Sequence, residues 1–382
     1  MRALLLDTNF SSAPIATALK AVGFSVVAVG NNPMDCLARS ESLWEKLDYS
    51  NEEQLFSAYQ RIAPDIVVPG CNDLSYTMHV RLCERFGLTS LDSSDSLRRV
   101  HDKYEFRRLC GELSLPAPRQ WTLSELGELD VLPPLIVKPT DGFSGKGVSV
   151  VGTHGAIQLH EAVALAQGES HTDTVIIEDY VAGQLCSFSA FIADGEIVAD
   201  FTVEEFGFTN PFVVDTSYVK RGDRHVPALR RYSQAMIKAL GLQRGLLHLQ
   251  YLDSGEEISL IEATRRCPGD LYSQLIYLST GFNYAAAYAD SFFGSAIATS
   301  PDQERIVVRH TVSGQETGAL KSLKFSPGLN LLDWYPLATV GERLMPSPRG
   351  RAGVAFCDAE QGQLESLLAA ARHNRLIAIE YA

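Results

Sequence analysis

Hydrophobic positions in the first 95 residues form short unbroken runs separated by stretches with helical spacing. Ala3 to Asp7, Ser25 to Val29 and Asp65 to Pro69 are apolar without alternation, as expected of strands buried on both faces. Helical periodicity over 13–22, 52–62 and 73–86 separates these runs, so the region predicts a small doubly wound parallel α/β domain. Gly70-Cys71-Asn72-Asp73 follows the third strand, at the carboxyl edge where such sheets bind ligands; Asn and Asp also favour helix N-caps. A helix over 102–113 ends at Leu115-Pro116-Ala117-Pro118. Alternation from Cys186 to Glu205 turns at Asp194-Gly195, a hairpin signal. A helix over 228–240 precedes strands over 244–252 and 256–263, joined through Asp253-Ser254-Gly255-Glu256. Helical spacing returns near 271–279 and 283–293. Residues 304–382 return to strands with one helix near 360–373, a small closing subdomain.

Chemistry enters at residues 135–151, LIVKPTDGFSGKGVSVV. An apolar strand ends on Lys138, and Gly142-Phe143-Ser144-Gly145-Lys146-Gly147 leads into a second β-rich run. Three glycines and a serine in six residues leave the backbone free to wrap its N–H groups around an anion. A lysine fixed on the preceding strand adds a point charge on the same phosphates. The pattern predicts a lid over a nucleotide triphosphate. A P-loop is excluded, because Gly145-Lys146 is followed by Gly147 and Thr140 replaces the first glycine. A Rossmann fingerprint is excluded too, since no glycine occurs between Thr8 and Pro14, after the first strand.

Four features fit the loop. Ile176-Ile177-Glu178-Asp179-Tyr180-Val181-Ala182-Gly183 is an apolar strand that ends in acids, able to meet an adenine edge through its backbone and through Glu178. Lys103, 35 residues before Lys138, offers a second cation. Alternation puts His248 and Gln250 on one face of a strand and Glu262 and Thr264 on one face of its neighbour, oxygen donors suited to magnesium. Arg265, Arg266 and Gly269 make a cationic, flexible corner beside them.

The order of these features resembles the ATP-grasp superfamily, specifically its carboxylate–amine ligase branch, most strongly over 100–295. The resemblance implies a mixed α/β (α+β) fold in four parts: an N-terminal parallel domain over 1–98, a lid subdomain over 99–183, a large subdomain over 184–300 and closing strands over 301–382. It implies ATP and Mg2+ as cofactors. Lys103 and Lys138 match the phosphate-binding lysines, and 142–147 matches the mobile glycine loop with Gly142, Ser144, Gly145, Lys146 and Gly147 as contacts. Glu178, Asp179 and Val181 match the adenine hinge, Glu262 a magnesium-bridging carboxylate, and Arg266 the arginine that stabilises an acyl-phosphate. Arg266 and Lys146 are the catalytic candidates.

This chain departs from the family pattern at three places. Gly183-Gln184-Leu185-Cys186-Ser187 lacks the glutamate that holds the ribose, leaving Gln184 as a substitute. Gln250 stands for a strand carboxylate, and Thr264 for the asparagine of a Glu-x-Asn metal pair. The metal set is then Gln250, Glu262 and Thr264, with one anion. The implied reaction activates a carboxylate as an acyl-phosphate and condenses it with an amine. Two readings compete: a bicarbonate-using carboxylase of the same superfamily, and a nucleotide-binding regulatory protein that has lost catalysis.

Composition narrows the partners. A net charge of −13 argues against nucleic acid, which needs clustered Lys and Arg. No apolar run reaches 18 residues, which argues against a membrane span. The seven cysteines, without a Cys-x-x-Cys, point to reduced thiols in the cytoplasm. Small-molecule substrates are expected, with room for a homodimer.

Overall fold

The computed structural model describes the chain except residues 42, 141, 143, 144, 153–157, 171, 298–302, 348 and 361. The N-terminal part runs β1 (Arg2–Leu6), α1 (Ala13–Ala21), β2 (Ser25–Gly30), α2 (Cys36–Ser40), β3 (Trp44–Lys46), α3 (Glu52–Ile62), β4 (Ile66–Pro69) and α4 (Asp73–Phe86). The four strands pair in parallel in the order β3-β2-β1-β4. Successive β1 residues face opposite ways: Leu4 and Leu6 pack with Leu55, Met78 and Leu82 of α3 and α4, while Ala3 and Leu5 meet Ile15 of α1. Burial on both faces is why these strands read as unbroken apolar runs. The short α2 and β3 escape the hydrophobic pattern because neither is long enough to show a period.

Next come α5 (Ser94–His101), which was not expected, and α6 (Lys103–Glu112), which matches the helix expected over 102–113. Asp102 divides them with extended backbone angles (φ −79°, ψ 126°), and its side chain accepts from Glu105 N to cap α6. A four-stranded antiparallel sheet comes after them, built from β5 (Gln120–Trp121), β6 (Leu135–Pro139), β7 (Ser149–Val151) and β8 (Val175–Asp179) in the order β5-β8-β6-β7. Helices α7 (Leu123–Gly127) and α8 (Leu159–Glu169) lie between its strands in sequence, and Ala162 and Ala166 of α8 pack on Leu135, Val137 and Val151.

The remaining strands are β9 (Gln184–Ala193), β10 (Glu196–Phe206), β11 (Thr216–Val219), β12 (Arg244–Asp253), β13 (Ile258–Thr264), β14 (Ile306–Ser313), β15 (Gly318–Phe325), β16 (Leu331–Pro336), β17 (Arg343–Leu344), β18 (Arg351–Ala359) and β19 (Ile377–Tyr381). The helices among them are α9 (Val226–Leu240), α10 (Tyr272–Thr280), α11 (Tyr284–Asp290) and α12 (Leu364–Arg372). Eight of these strands form one sheet in the order β13-β12-β9-β10-β11-β14-β18-β16. The strands after 300 are therefore not a separate closing unit, as the sequence implied. Three of them extend the large sheet, and β17-β15-β19 alone make a small sheet of their own.

Alternation gives the large sheet two different faces. Phe188, Ala190, Ile192, Leu247 and Leu249 turn toward Leu229, Met236 and Ile237 of α9. Phe191, Phe201, Val203 and Leu246 turn toward α10, α11 and the N-terminal domain. The second face also carries Ser187, Ser189, Glu205 and His248, all buried.

Candidate functional site

On the lid side, cations gather around one carboxylate. Lys138 at the end of β6 sets Nζ 2.6 Å from Glu178 Oε2 on β8, and Arg107 of α6 ion-pairs with Glu178 Oε1. The pairing is a product of register, since β6 and β8 are antiparallel with Ile136 opposite Glu178 and Lys138 opposite Ile176. Arg107 also donates from Nη2 to the Ile261 carbonyl at 2.8 Å, tying the cluster to β13. Burial, with Arg107 and Lys103 nearby, lowers the Lys138 ammonium below its ordinary value although Glu178 opposes the shift. Burial would raise Glu178, but Lys138 and Arg107 outweigh it and hold the carboxyl below its usual range. Lys103, the first residue of α6, donates to the carbonyls of Gly142 at 3.1 Å and Thr140 at 3.4 Å. Lys103, Lys138 and Arg107 against Glu178 leave two positive charges in excess, suited to a polyphosphate.

Across the cleft, β13 and β12 place Glu262 opposite Gln250, and β9 places Ser187 opposite Gln250. The half-buried Glu262 carboxylate has no hydrogen bond or ion pair among the described residues. Gln250 Nε2 donates to Glu205 Oε2 at 3.0 Å, and Ser187 Oγ donates to Glu205 Oε1 at 2.8 Å. Burial pushes the Glu205 carboxyl up to about 7. Glu205 is a second carboxylate beside the strand position that lacks one, and the sequence reading missed it. Its signal was present: Phe201, Val203 and Glu205 share one face of β10, so an acid stands where the alternation calls for an apolar residue.

At the end of β13 the chain turns toward the N-terminal domain. Arg266 Nε lies 3.0 Å from Asp73 Oδ1 and Nη2 lies 3.4 Å from Oδ2. Thr264 Oγ1 donates to Asp73 Oδ1 at 2.9 Å. Asn72 caps α4 by accepting from Ser75 N, and Asp73 opens the helix, so the segment serves as a cap and also reaches the cleft. Burial works against the charge on Asp73, but Arg266 and His101 beside it hold the carboxyl well below its ordinary range. Farther along, Asp270 and Leu271 both adopt left-handed backbone (φ 54° and 58°), a strained pair outside glycine. Asp270 Oδ1 accepts from Arg351 at 2.9 Å, and its carbonyl accepts from the buried Arg309 at 3.1 Å.

No protein-family model matches the chain. A formate-dependent phosphoribosylglycinamide formyltransferase of Rhodococcus jostii is 26% identical over 282 residues, 69% of this chain and 68% of that protein. Other curated relatives are matched over about half or a quarter of their own length. The L-amino acid ligase of Bacillus licheniformis superposes with a TM-score of 0.78 at 16% identity, covering all of this chain and 98% of that one. The N5-carboxyaminoimidazole synthetase of Staphylococcus aureus complexed with ADP superposes at 0.76 and 14% identity, over 97% and 96% of the two chains. The chain has the ATP-grasp fold.

The Glu178 cluster of the four-stranded sheet and the polar part of the large sheet meet where Arg107 reaches the Ile261 carbonyl, and the site is taken to lie between them. Several expected contacts are used differently. The Glu178 carboxylate is fully buried and taken up by Lys138 and Arg107, so it is not offered to a nucleobase. Asp179 Oδ1 accepts from Trp121 Nε1 at 2.6 Å. The hinge is left with backbone groups, among them Val181 N–H, which makes no hydrogen bond among the described residues. Gln184 Nε2 donates to the carbonyls of Leu185 and Glu205, and its side-chain oxygen accepts no hydrogen bond among the described residues. Thr264 Oγ1 is engaged with the N-terminal side of the site, donating to Asp73 Oδ1 and accepting from Arg266 N. Arg265 is wholly buried, held by Asp92 and by backbone carbonyls.

Of the glycine loop, Ser144 lies outside the described residues. Gly145 and Gly147 flank Lys146 with φ of +68° and +66°. A Cβ on Gly145 would come within 2.7 Å of Phe212 Cβ, so this loop lies against residues 207–215 between β10 and β11. His248 is buried, with Nδ1 2.8 Å from Ser189 Oγ, and burial lowers it to about 3; it remains a strand residue. Asp223, His225 and Asp253 could hold a metal, but the Lys220 ammonium already stands 3.0 Å from Asp253 and 3.6 Å from Asp223.

Proposed function

We propose that this chain is an ADP-forming ligase that activates a small carboxylate with ATP and condenses it with an amine. The observation that carries the reading is the excess of cations around Glu178, set across the cleft from the open Glu262 carboxylate. Lys103, Lys138 and Arg107 neutralise the triphosphate. Glu262, with the Gln250 carbonyl and Glu205 beside it, fits a hard dication, and Mg2+ held there would screen the β- and γ-phosphate oxygens. A carboxylate oxygen of the substrate attacks the γ-phosphorus in line as the bond to ADP breaks. Arg266 faces the charge on the transferring group. The amine nitrogen then attacks the acyl carbon, phosphate leaves, and the amine proton passes to solvent. The glycine loop would act as the lid that keeps water from the acyl-phosphate.

Glu205 speaks against loss of catalysis, because it restores a second carboxylate where Gln250 had seemed to remove one. The seven cysteines are unpaired and six are buried, which supports a reducing cytoplasm as the site of action. Among the described residues no helix is long and apolar enough to cross a membrane. The likeness to a biotin carboxylase domain solved as a dimer supports a homodimer, which sedimentation would read.

The test is ADP release from ATP and Mg2+ across a grid. Formate, bicarbonate and the common L-amino acids serve as carboxyl donors, and ammonia, amino acids and aminated sugars as amines. A pair that releases ADP only when both members are present supports the ligase. Release driven by bicarbonate alone supports a carboxylase, and ATP binding with no release anywhere supports a regulatory protein.

A further inference from the structure

The carboxylate that meets Arg266 belongs to a different domain, 193 positions away in the chain. Asp73 grips one edge of the guanidinium, through Nε and Nη2. Nη1 has only the distant Cys267 carbonyl at 3.4 Å, so the outer edge of the fork stays available to an anion. Arg266 Nη1 and Nη2 are therefore presented in a fixed plane. The pair adds little stability, because the side chains keep 19% and 42% of their exposure in the cleft. Its geometric effect is larger.

The scaffold behind Asp73 is rigid. A Cβ on Gly70 would come within 2.2 Å of Asp7 Cβ, so the loop before α4 lies flush on the end of β1. Asp7 and Ser12 accept from Cys71 N, and Asn72 donates to Tyr49. On the other side, Arg265 N donates to His101 Nε2 at 3.2 Å, and Arg265 itself is locked to Asp92. Thr264 links the two sides by donating to Asp73 and accepting from Arg266 N at 3.3 Å. The backbone on both sides of the Asp73–Arg266 contact is thus held, and the side-chain pair sets the remaining freedom.

We propose that Asp73 is a positioning residue for the ligase reaction, orienting the Arg266 guanidinium toward the transferring phosphoryl group and so making N-terminal domain docking a condition of chemistry. This rests on the ligase reading above. It also explains why Thr264 stands where the resemblance would place a metal ligand: the threonine completes the interdomain bond.

The test uses the full chain with Asp73→Asn, a substitution of nearly equal volume, assayed with the most active pair of the grid. Expected are a ten- to hundredfold fall in kcat, an unchanged KM for ATP and a melting temperature near that of the parent. Arg266→Lys alone should be at least as damaging, and the double variant Asp73→Asn/Arg266→Lys no worse than Arg266→Lys, because both act through one guanidinium. Losses that multiply, or an Asp73→Asn enzyme as fast as the parent or faster, would overturn the inference. The contact is also read without turnover. The Arg266 Nε–Hε resonance should be sharp and slow to exchange in the parent and broadened in Asp73→Asn, and an identical resonance in the two proteins would overturn it. If the parent releases no ADP with any pair, the ligase reading fails, while the resonance still decides the contact.

Discussion

At the residue scale, one carboxylate organises the lid side of the cleft. Glu178 has no exposure and depends on Lys138 and Arg107, so Lys138→Ala removes the proposed phosphate contact and half of a buried ion pair. Nucleotide affinity should fall by roughly 1.5–3 kcal/mol, and the fold should lose about 1–3 kcal/mol besides. Lys103→Ala, whose partners are backbone carbonyls, should cost affinity with little change in melting temperature. Calorimetric ATP titration and thermal melts of both variants separate the two effects; equal melting losses would show that Glu178 does not need Lys138. Glu205 gives a second prediction. Its folded-state carboxyl titrates near 7, above the ordinary 4.5, so its contribution to stability is present below about pH 4.5 and is lost as pH rises through 7. The parent should lose stability between pH 5 and pH 8, and Glu205→Gln should lose less, by up to about 3 kcal/mol. Identical pH profiles in melts of the two proteins would exclude that burden. The sequence put Lys103, Lys138, Glu262 and Arg266 forward through motif order and the resemblance it supports. It could not show Asp73 on Arg266 or Glu205 on Gln250, because both contacts depend on which strand or domain lies alongside.

At the element scale, legibility tracked length. Strands and helices of eight residues or more, such as β9, β10, α3 and α9, lie within a few residues of where periodicity put them. The helix expected over 102–113 is α6, capped by Asp102, whereas the shorter α5, which ends just before Asp102, went unread. A polar residue at a helix start can mark an end as well, and the pattern alone does not distinguish the two. The glycine loop carries a prediction of its own. Gly145→Ala adds a Cβ at positive φ against Phe212, so the loop must lift from residues 207–215. Limited trypsin digestion without nucleotide should then cut after Lys146 faster than in the parent, with a lower kcat for ADP release. Unchanged digestion would mean the two loops do not meet in solution.

At the scale of the whole molecule, the large sheet binds distant parts of the chain into one unit. β14 pairs with β11, and β18 with β14, so residues after 300 complete the sheet that carries Ser187, Glu205 and Gln250. A chain ending at 303 would leave β11 as a bare edge and remove Val307, Val354 and Phe356 from the core shared with α10 and α11. Such a fragment should be recovered aggregated or unfolded, judged by circular dichroism and sedimentation; a folded, ATP-binding fragment would contradict the single sheet. The division into closing strands failed for a simple reason. Strand pairing across sixty or more intervening residues leaves no trace in local hydrophobic order.

Lys103 has a wider consequence. Its ammonium is held by the carbonyls of Thr140, just after β6, and of Gly142, the first residue of the glycine loop proposed as a lid. The loop is thus a competitor tethered beside its own rival, present at an effective concentration that dilution cannot lower. A triphosphate that took Lys103, as proposed, would compete with those carbonyls and free the Gly142 end of the loop to close over it. Affinity for nucleotide and freedom of the loop are then two readings of one equilibrium.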